Sequence, residues 1–171
     1  MRSDYISDDT ISHLLWALTP ADKLICELAL ETGWRISDIL ELKTMDIIKA
    51  LSKKRTSLTI IEQKTNKKST KYINRALLER VKEQAGIYYC FEHRDSMERH
   101  RTRQAVYQDI KRVAKKFGIK TNFSPHSLRK NYAVYMYKHY GIAKTQKALN
   151  HEDIIVTMLY AFSNELEKQK R

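Results

Sequence analysis

The residues with the most chemistry in their spacing lie near the C-terminal end. In SPHSLRKNYA, His126 and Arg129 stand three apart at a helix start. That spacing puts both on one face beside the positive end of a helix dipole, where a phosphate would sit well. Taken alone, the pair reads equally as a surface pair. In KALNHEDIIVTMLYAF, His151 and Tyr160 are nine apart, and Ile154, Ile155 and Leu159 could anchor a short amphipathic turn that brings them together. By itself Tyr160 is one of ten tyrosines and could be half-buried, with its hydroxyl satisfied. Arg35, in ALETGWRISDILELK, follows the helix stop expected at Gly33, where an ion pair to Asp38 would be the plain reading. Lys64 falls in the polar turn QKTNKKS, where a solvated lysine is the plain reading.

Elements that would position these groups follow from periodicity and caps. Residues 7–18 read as a helix capped by Ser7 or Asp8, and Thr19-Pro20 opens the next, which ends at Gly33. A short helix is predicted over 36–42. Ser57–Glu62 and Thr70–Ile73 alternate as an antiparallel hairpin, with 46–48 as a candidate third strand. Helix is expected at 75–84, a charged loop at 92–101, and amphipathic helix at 102–117 stopped by Gly118. Another helix should run from Ser124-Pro125 to about Tyr140, stopped by Gly141. Two short helices and a charged tail then close the chain. The expected fold class is mainly α with a small antiparallel β-sheet, in one domain over 171 residues.

Composition narrows the partners. Thirty-two Lys and Arg against 20 Asp and Glu give a formal charge of +12, which favours a polyanion, nucleic acid before an acidic membrane surface. KKR at 53–55, KRVAKK at 111–116 and the terminal KQKR are candidate phosphate contacts, or simply solvated charged faces. Cys26 and Cys90 form neither a metal-spaced pair nor a disulfide framework, which fits a reducing cytosol. The sequence contains no apolar run of membrane-spanning length, and no carboxylate or His/Cys cluster suggests a metal.

Taken together, these segments resemble the tyrosine recombinases, the phage integrase family. TGWRISDILEL matches a first box of the form TG-x-R-x-S-D/E-x-x-x-L, KTNK resembles the hairpin lysine, HSLR matches H-x-L-R, and LNHEDIIVTMLY resembles L-G-H-x-x-x-x-T-x-x-x-Y. Asn150 stands where that last box has Gly, and Asn tolerates a left-handed backbone better than most residues. The resemblance runs from about residue 5 to 165.

It implies that Tyr160 attacks a phosphodiester of double-stranded DNA to give a 3′-phosphotyrosine, needing no metal, ATP or other cofactor. Arg35 and Arg129 would hold the non-bridging oxygens. Lys64 would protonate the leaving 5′-oxygen, His126 would assist proton transfer at Tyr160, and His151 would bond the phosphate. Asp38 would brace the site. Lys67, Lys68, Lys111, Arg112 and Lys115 are the expected further DNA contacts.

The resemblance further implies a homo-oligomer on DNA, with residues 163–171 docking on a neighbouring protomer and an accessory DNA-bending protein as a possible helper. The family's N-terminal helical domain is expected to be absent, which fits an excised catalytic domain or a short member encoded by a mobile element. Two other readings stay open: a type IB topoisomerase relaxing supercoils as a monomer, and a DNA-binding regulator without turnover.

Overall fold

The computed structural model describes residues 7–119 and 123–149. It is built mainly of helices with two small antiparallel hairpins. Ser7 caps α1 (Asp8–Ala17), and Thr19 caps α2 (Pro20–Thr32) with Pro20 in its first turn. Gly33 ends α2 in the left-handed conformation, its N–H donating to the Ala29 carbonyl. The short α3 (Ile36–Leu40) begins three residues later, so the chain turns sharply between two buried helices.

The first hairpin pairs β1 (Ser57–Ile61) with β2 (Lys68–Tyr72), with Leu58 opposite Lys71 and Ile60 opposite Ser69. Helix α5 (Arg75–Gln84) follows, capped by Asn74. Helix α6 (Arg103–Lys116) ends before Gly118, at φ 62°. Helix α7 (Pro125–Ala148) is interrupted at Gly141, whose φ of 76° and ψ of 176° break the helix before it resumes. The expected stop at Gly141 is therefore a change of direction. A first short helix follows it at once, and the rest of the expected C-terminal elements lie outside the described residues.

Two sequence expectations are corrected. Residues 46–48 are not a strand but part of α4 (Thr44–Leu51), which turns Ile47 and Ala50 into the core and leaves Asp46 exposed. The charged segment 92–101 is not an open loop. It holds a second hairpin, β3 (Glu92–His93) with β4 (Ser96–His100), and Arg101 N–H donates to the Phe91 carbonyl at its base. Phe91 and Cys90 are buried beside it.

One core runs through α1 to α6 and reaches Leu128 at the start of α7. Cys26 is fully buried within it, as expected, and burial pushes its thiol well above the usual range. Arg101 ties α2 to α6 by bonding Asp22 at 3.0 Å and Asp109 at 2.9 Å. Among the described residues no helix is long and apolar enough to cross a membrane.

Gly33 is where this packing is least tolerant. A Cβ there would overlap the Tyr132 ring, and the φ of 71° disfavours any side chain. The left-handed conformation costs an L-residue roughly 1–2 kcal/mol, and overpacking adds a similar amount. Gly33→Ala should therefore destabilise the protein by about 3 kcal/mol, lowering the melting temperature by about 10 °C for a chain of this size. Calorimetry of the two proteins side by side checks it.

Candidate active site

Four buried anchors build the turn that presents Arg35. The Thr32 hydroxyl donates to the Leu28 carbonyl and accepts the Trp34 N–H at 3.1 Å. Gly33 supplies the left-handed step. Trp34 is buried, and its indole N–H donates to Ser69 Oγ at 2.9 Å, fastening the turn to β2. Arg35 then emerges as the residue preceding α3, with its side chain 20% exposed.

Two carboxylates receive that guanidinium. Glu62, at the end of β1, lies 2.5 Å from Arg35 Nη1, and Asp38 Oδ2 lies 4.0 Å away. Both carboxylates are buried. Asp38 Oδ1 accepts the Gln63 backbone N–H at 3.1 Å, so the residue that faces Arg35 also holds the start of the hairpin turn. Burial pushes the Asp38 carboxyl above the usual carboxylate range, against the opposing effects of the Gln63 amide and Arg35. Asp38 thus joins α3 to the turn carrying Lys64.

Lys64 is exposed in that turn, as are Lys67 and Lys68. The turn itself is closed by Glu62 N–H to the Lys67 carbonyl and Asn66 N–H to the Glu62 carbonyl, with Asn66 left-handed at φ 52°.

Arg129 reaches the turn that presents Arg35 from α7. It lies in the first turns of α7, whose start is set by Pro125 and by a Ser127 hydroxyl accepting the Ser124 N–H at 3.2 Å. It is only 5% exposed. One arm donates to the Gly33 carbonyl and another to the Leu149 carbonyl at 2.7 Å. The first bond places Arg129 against the turn that presents Arg35. The second holds the end of α7, two residues before His151.

His126 stays exposed one turn earlier. Partial desolvation lowers its pKa below 6.5, and Arg103, Arg129, Arg35 and Lys64 push in the same direction. The imidazole is therefore neutral at pH 7 and able to accept a proton. Arg103, Arg129, Arg35 and Lys64 are thus all near enough to His126 to disfavour its charged form. His151 and Tyr160 lie outside the described residues.

Three participants carry no motif and were not anticipated. Arg103, at the start of α6, is the strongest charged neighbour of His126. Glu62 was read only as the end of a strand. Lys71, on β2, donates to the Ala148 carbonyl at 2.6 Å and to the Tyr132 hydroxyl at 3.1 Å. Alternation along the hairpin was the available signal. Leu58, Ile60 and Glu62 share one face of β1, and Lys71 stands opposite Leu58, so an acid and a base point inward and require partners.

Of the further expected DNA contacts, Lys111, Arg112 and Lys115 lie on α6, with Arg112 paired to Asp109 at 2.5 Å and Lys111 over the Tyr107 ring. No group of His, Cys, Asp and Glu among the described residues could hold a metal ion.

Desolvation first, then Arg129, pushes the Lys71 ammonium down to about 8 from 10.5. The unfolded chain keeps that proton up to its higher pKa, so between pH 8 and 10.5 it binds more protons than the native state. Stability from this group must rise with pH in that window and stay flat below it. Wild type should gain about 2 kcal/mol on Lys71→Met between pH 8 and pH 10, read from urea unfolding at several pH values.

The sequence profile of the phage integrase family matches residues 5–167. The tyrosine recombinase XerD of Listeria innocua is 25% identical over 161 residues, covering 85% of this chain and 51% of its own length. The integrase of Escherichia phage P2 is 27% identical over 160 residues, covering 94% of this chain and 43% of its own. This chain thus spans about half the length of such relatives. Among solved structures, a lambda integrase dimer bound to a COC′ core site superposes with a TM-score of 0.76 at 21% identity, over 94% of this chain and 60% of that one. XerA recombinase gives 0.73 at 20% identity, over 100% and 66%. These likenesses establish the shared fold. The family profile extends over nearly the whole sequence, and with it comes the conclusion the site had been pointing to: the chain belongs to the phage integrase family.

Proposed function

We propose that the protein is a site-specific recombinase that cuts and rejoins double-stranded DNA through a covalent bond to Tyr160. The observation that carries this reading is the bond from buried Arg129 to the Gly33 carbonyl, which sets it against the turn that presents Arg35, while Asp38 ties the turn carrying Lys64 to the same short helix. Two guanidiniums can hold both non-bridging oxygens of a phosphodiester and stabilise the extra charge of its transition state. Arg suits that task because its planar fork matches phosphate oxygens.

In the proposed reaction the Tyr160 hydroxyl attacks phosphorus and the 5′-oxygen leaves. The products are a 3′-phosphotyrosine and a free 5′-hydroxyl. His126, neutral at pH 7, takes the tyrosine proton, and Lys64 gives one to the leaving oxygen. His151 hydrogen-bonds the phosphate. The phosphoester bond is retained in the adduct, so attack by a 5′-hydroxyl rejoins the strand without ATP. Recombination needs two such exchanges, which supports a homo-oligomer on DNA as the working form. The relatives that include an XerD and a phage integrase support recombination over relaxation of supercoils.

A nicked duplex that traps the cleaved strand tests the reading. The recombinase gives a protein–DNA species that survives denaturation, and it exchanges strands between two sites. Binding without any such species would favour a regulator, and relaxation without exchange would favour a topoisomerase.

The His126 environment adds a pH prediction. The acid limb of adduct formation should fall below pH 6.5, because partial burial first, and then the cations around His126, disfavour its protonated form. Arg103→Gln removes the largest charged contribution, so the limb should move to higher pH. A pH–rate profile of both proteins on the nicked duplex measures this, and an unchanged limb would remove His126 from the proton path.

A further inference from the structure

Between β2 and the last turns of α7 lies a groove of about 350 Å³, lined by Lys68, Ser69, Thr70, Lys71, Lys144, Lys147 and Ala148. Four lysines and no carboxylate line it. Lys144 and Lys147 are three apart on one helix face, and both are exposed. Lys68 and Lys71 stand on the facing strand. Like charges gathered in this way repel, and an anion bound among them relieves the repulsion.

A helix end normally repels anions through its carbonyls. Here the Ala148 and Leu149 carbonyls are already covered, by Lys71 at 2.6 Å and Arg129 at 2.7 Å. The groove therefore presents ammonium groups instead of a bare helix C-terminus. Ser69 and Thr70 add hydroxyls, although Ser69 Oγ already accepts from Trp34 and Thr70 Oγ1 is shared with Thr59. Lys71 and Arg129 bond adjacent carbonyls, which puts the groove beside Arg129, while its walls are other residues.

We propose that this groove holds a backbone phosphate of the bound duplex, separate from the phosphate that is cut. The proposal rests on the reading of the protein as a DNA recombinase. The hairpin that carries Lys64 supplies one wall and the helix leading toward His151 supplies the other. A phosphate seated between them draws the two elements together as DNA binds.

Two measurements test it. The first is the salt dependence of binding to a random-sequence duplex. Each lost phosphate contact reduces the slope of log K against log salt by about 0.9, so Lys144→Gln/Lys147→Gln should reduce it by about 0.9 and weaken binding about tenfold near ~0.1 M salt. Lys23→Gln/Lys82→Gln removes the same charge elsewhere and should leave the slope close to wild type. The second is acetylation of the wild-type protein, which needs no variant to fold. The duplex should protect Lys68, Lys144 and Lys147, and inorganic phosphate should not.

If the duplex binds and protects Lys64 while Lys144 and Lys147 react freely, the groove proposal is overturned and the recombinase reading stands. Protection by inorganic phosphate alone would make the groove a site for a free anion and overturn the proposal as well. A duplex that protects no lysine at all would remove DNA binding, and both readings with it.

Discussion

Tyr160→Phe is expected to abolish the covalent protein–DNA species while leaving affinity for the duplex within about twofold of wild type. Phenylalanine keeps the ring and removes only the hydroxyl, so packing of the segment changes little. The loss should be at least ~10⁴-fold, as seen when a nucleophile is removed from a site whose other groups act as a unit. The measurement is adduct formation on the nicked duplex, paired with a gel-shift titration under the same salt. A variant that still forms adduct would move the nucleophile to another of the ten tyrosines.

Arg129→Lys carries the second large effect, and it has two separable parts. Lysine keeps the charge but loses the fork that reaches the Gly33 and Leu149 carbonyls together. Loss of a preorganised donor at the transition state should slow adduct formation by about 10³-fold. The buried carbonyls left without partners should cost about 2–3 kcal/mol of stability. Single-turnover cleavage reads the first part and urea unfolding the second. Wild-type stability with the same loss of rate would mean that Arg129 acts on the phosphate alone and does not hold the end of α7.

The positions of Arg35, Lys64, His126 and Arg129 were legible from short segments that singly admit a plain reading and together resemble the boxes of one family. A glycine stop places Arg35, a polar turn places Lys64, and a Ser-Pro helix start places His126 and Arg129. Asp38 was legible for the same reason, three residues along a helix from Arg35. Glu62, Lys71 and Arg103 were not, because their roles depend on which elements face each other. Only the hairpin register puts Glu62 against Arg35, and only the bend at Gly141 brings Ala148 back to Lys71.

The fold errors have similar origins. The paired isoleucines at 47 and 48 suggest a strand, yet only Ile47 is buried, and helix α4 buries it together with Ala50. In the second hairpin, no residue of β3 or β4 is fully buried, so there was no hydrophobic alternation to read. What fixes it is backbone bonding at its base and the buried Phe91.

The central claim is that Tyr160 becomes joined to a 3′-phosphate within a site organised by Arg35 and Arg129. Digesting the trapped adduct and sequencing the peptide and the DNA end attached to it tests both halves at once. The account predicts a peptide modified at Tyr160, carrying a 3′-phosphoryl DNA end and leaving a free 5′-hydroxyl on the other strand fragment. Attachment through another residue, or through a 5′-phosphate, would contradict it.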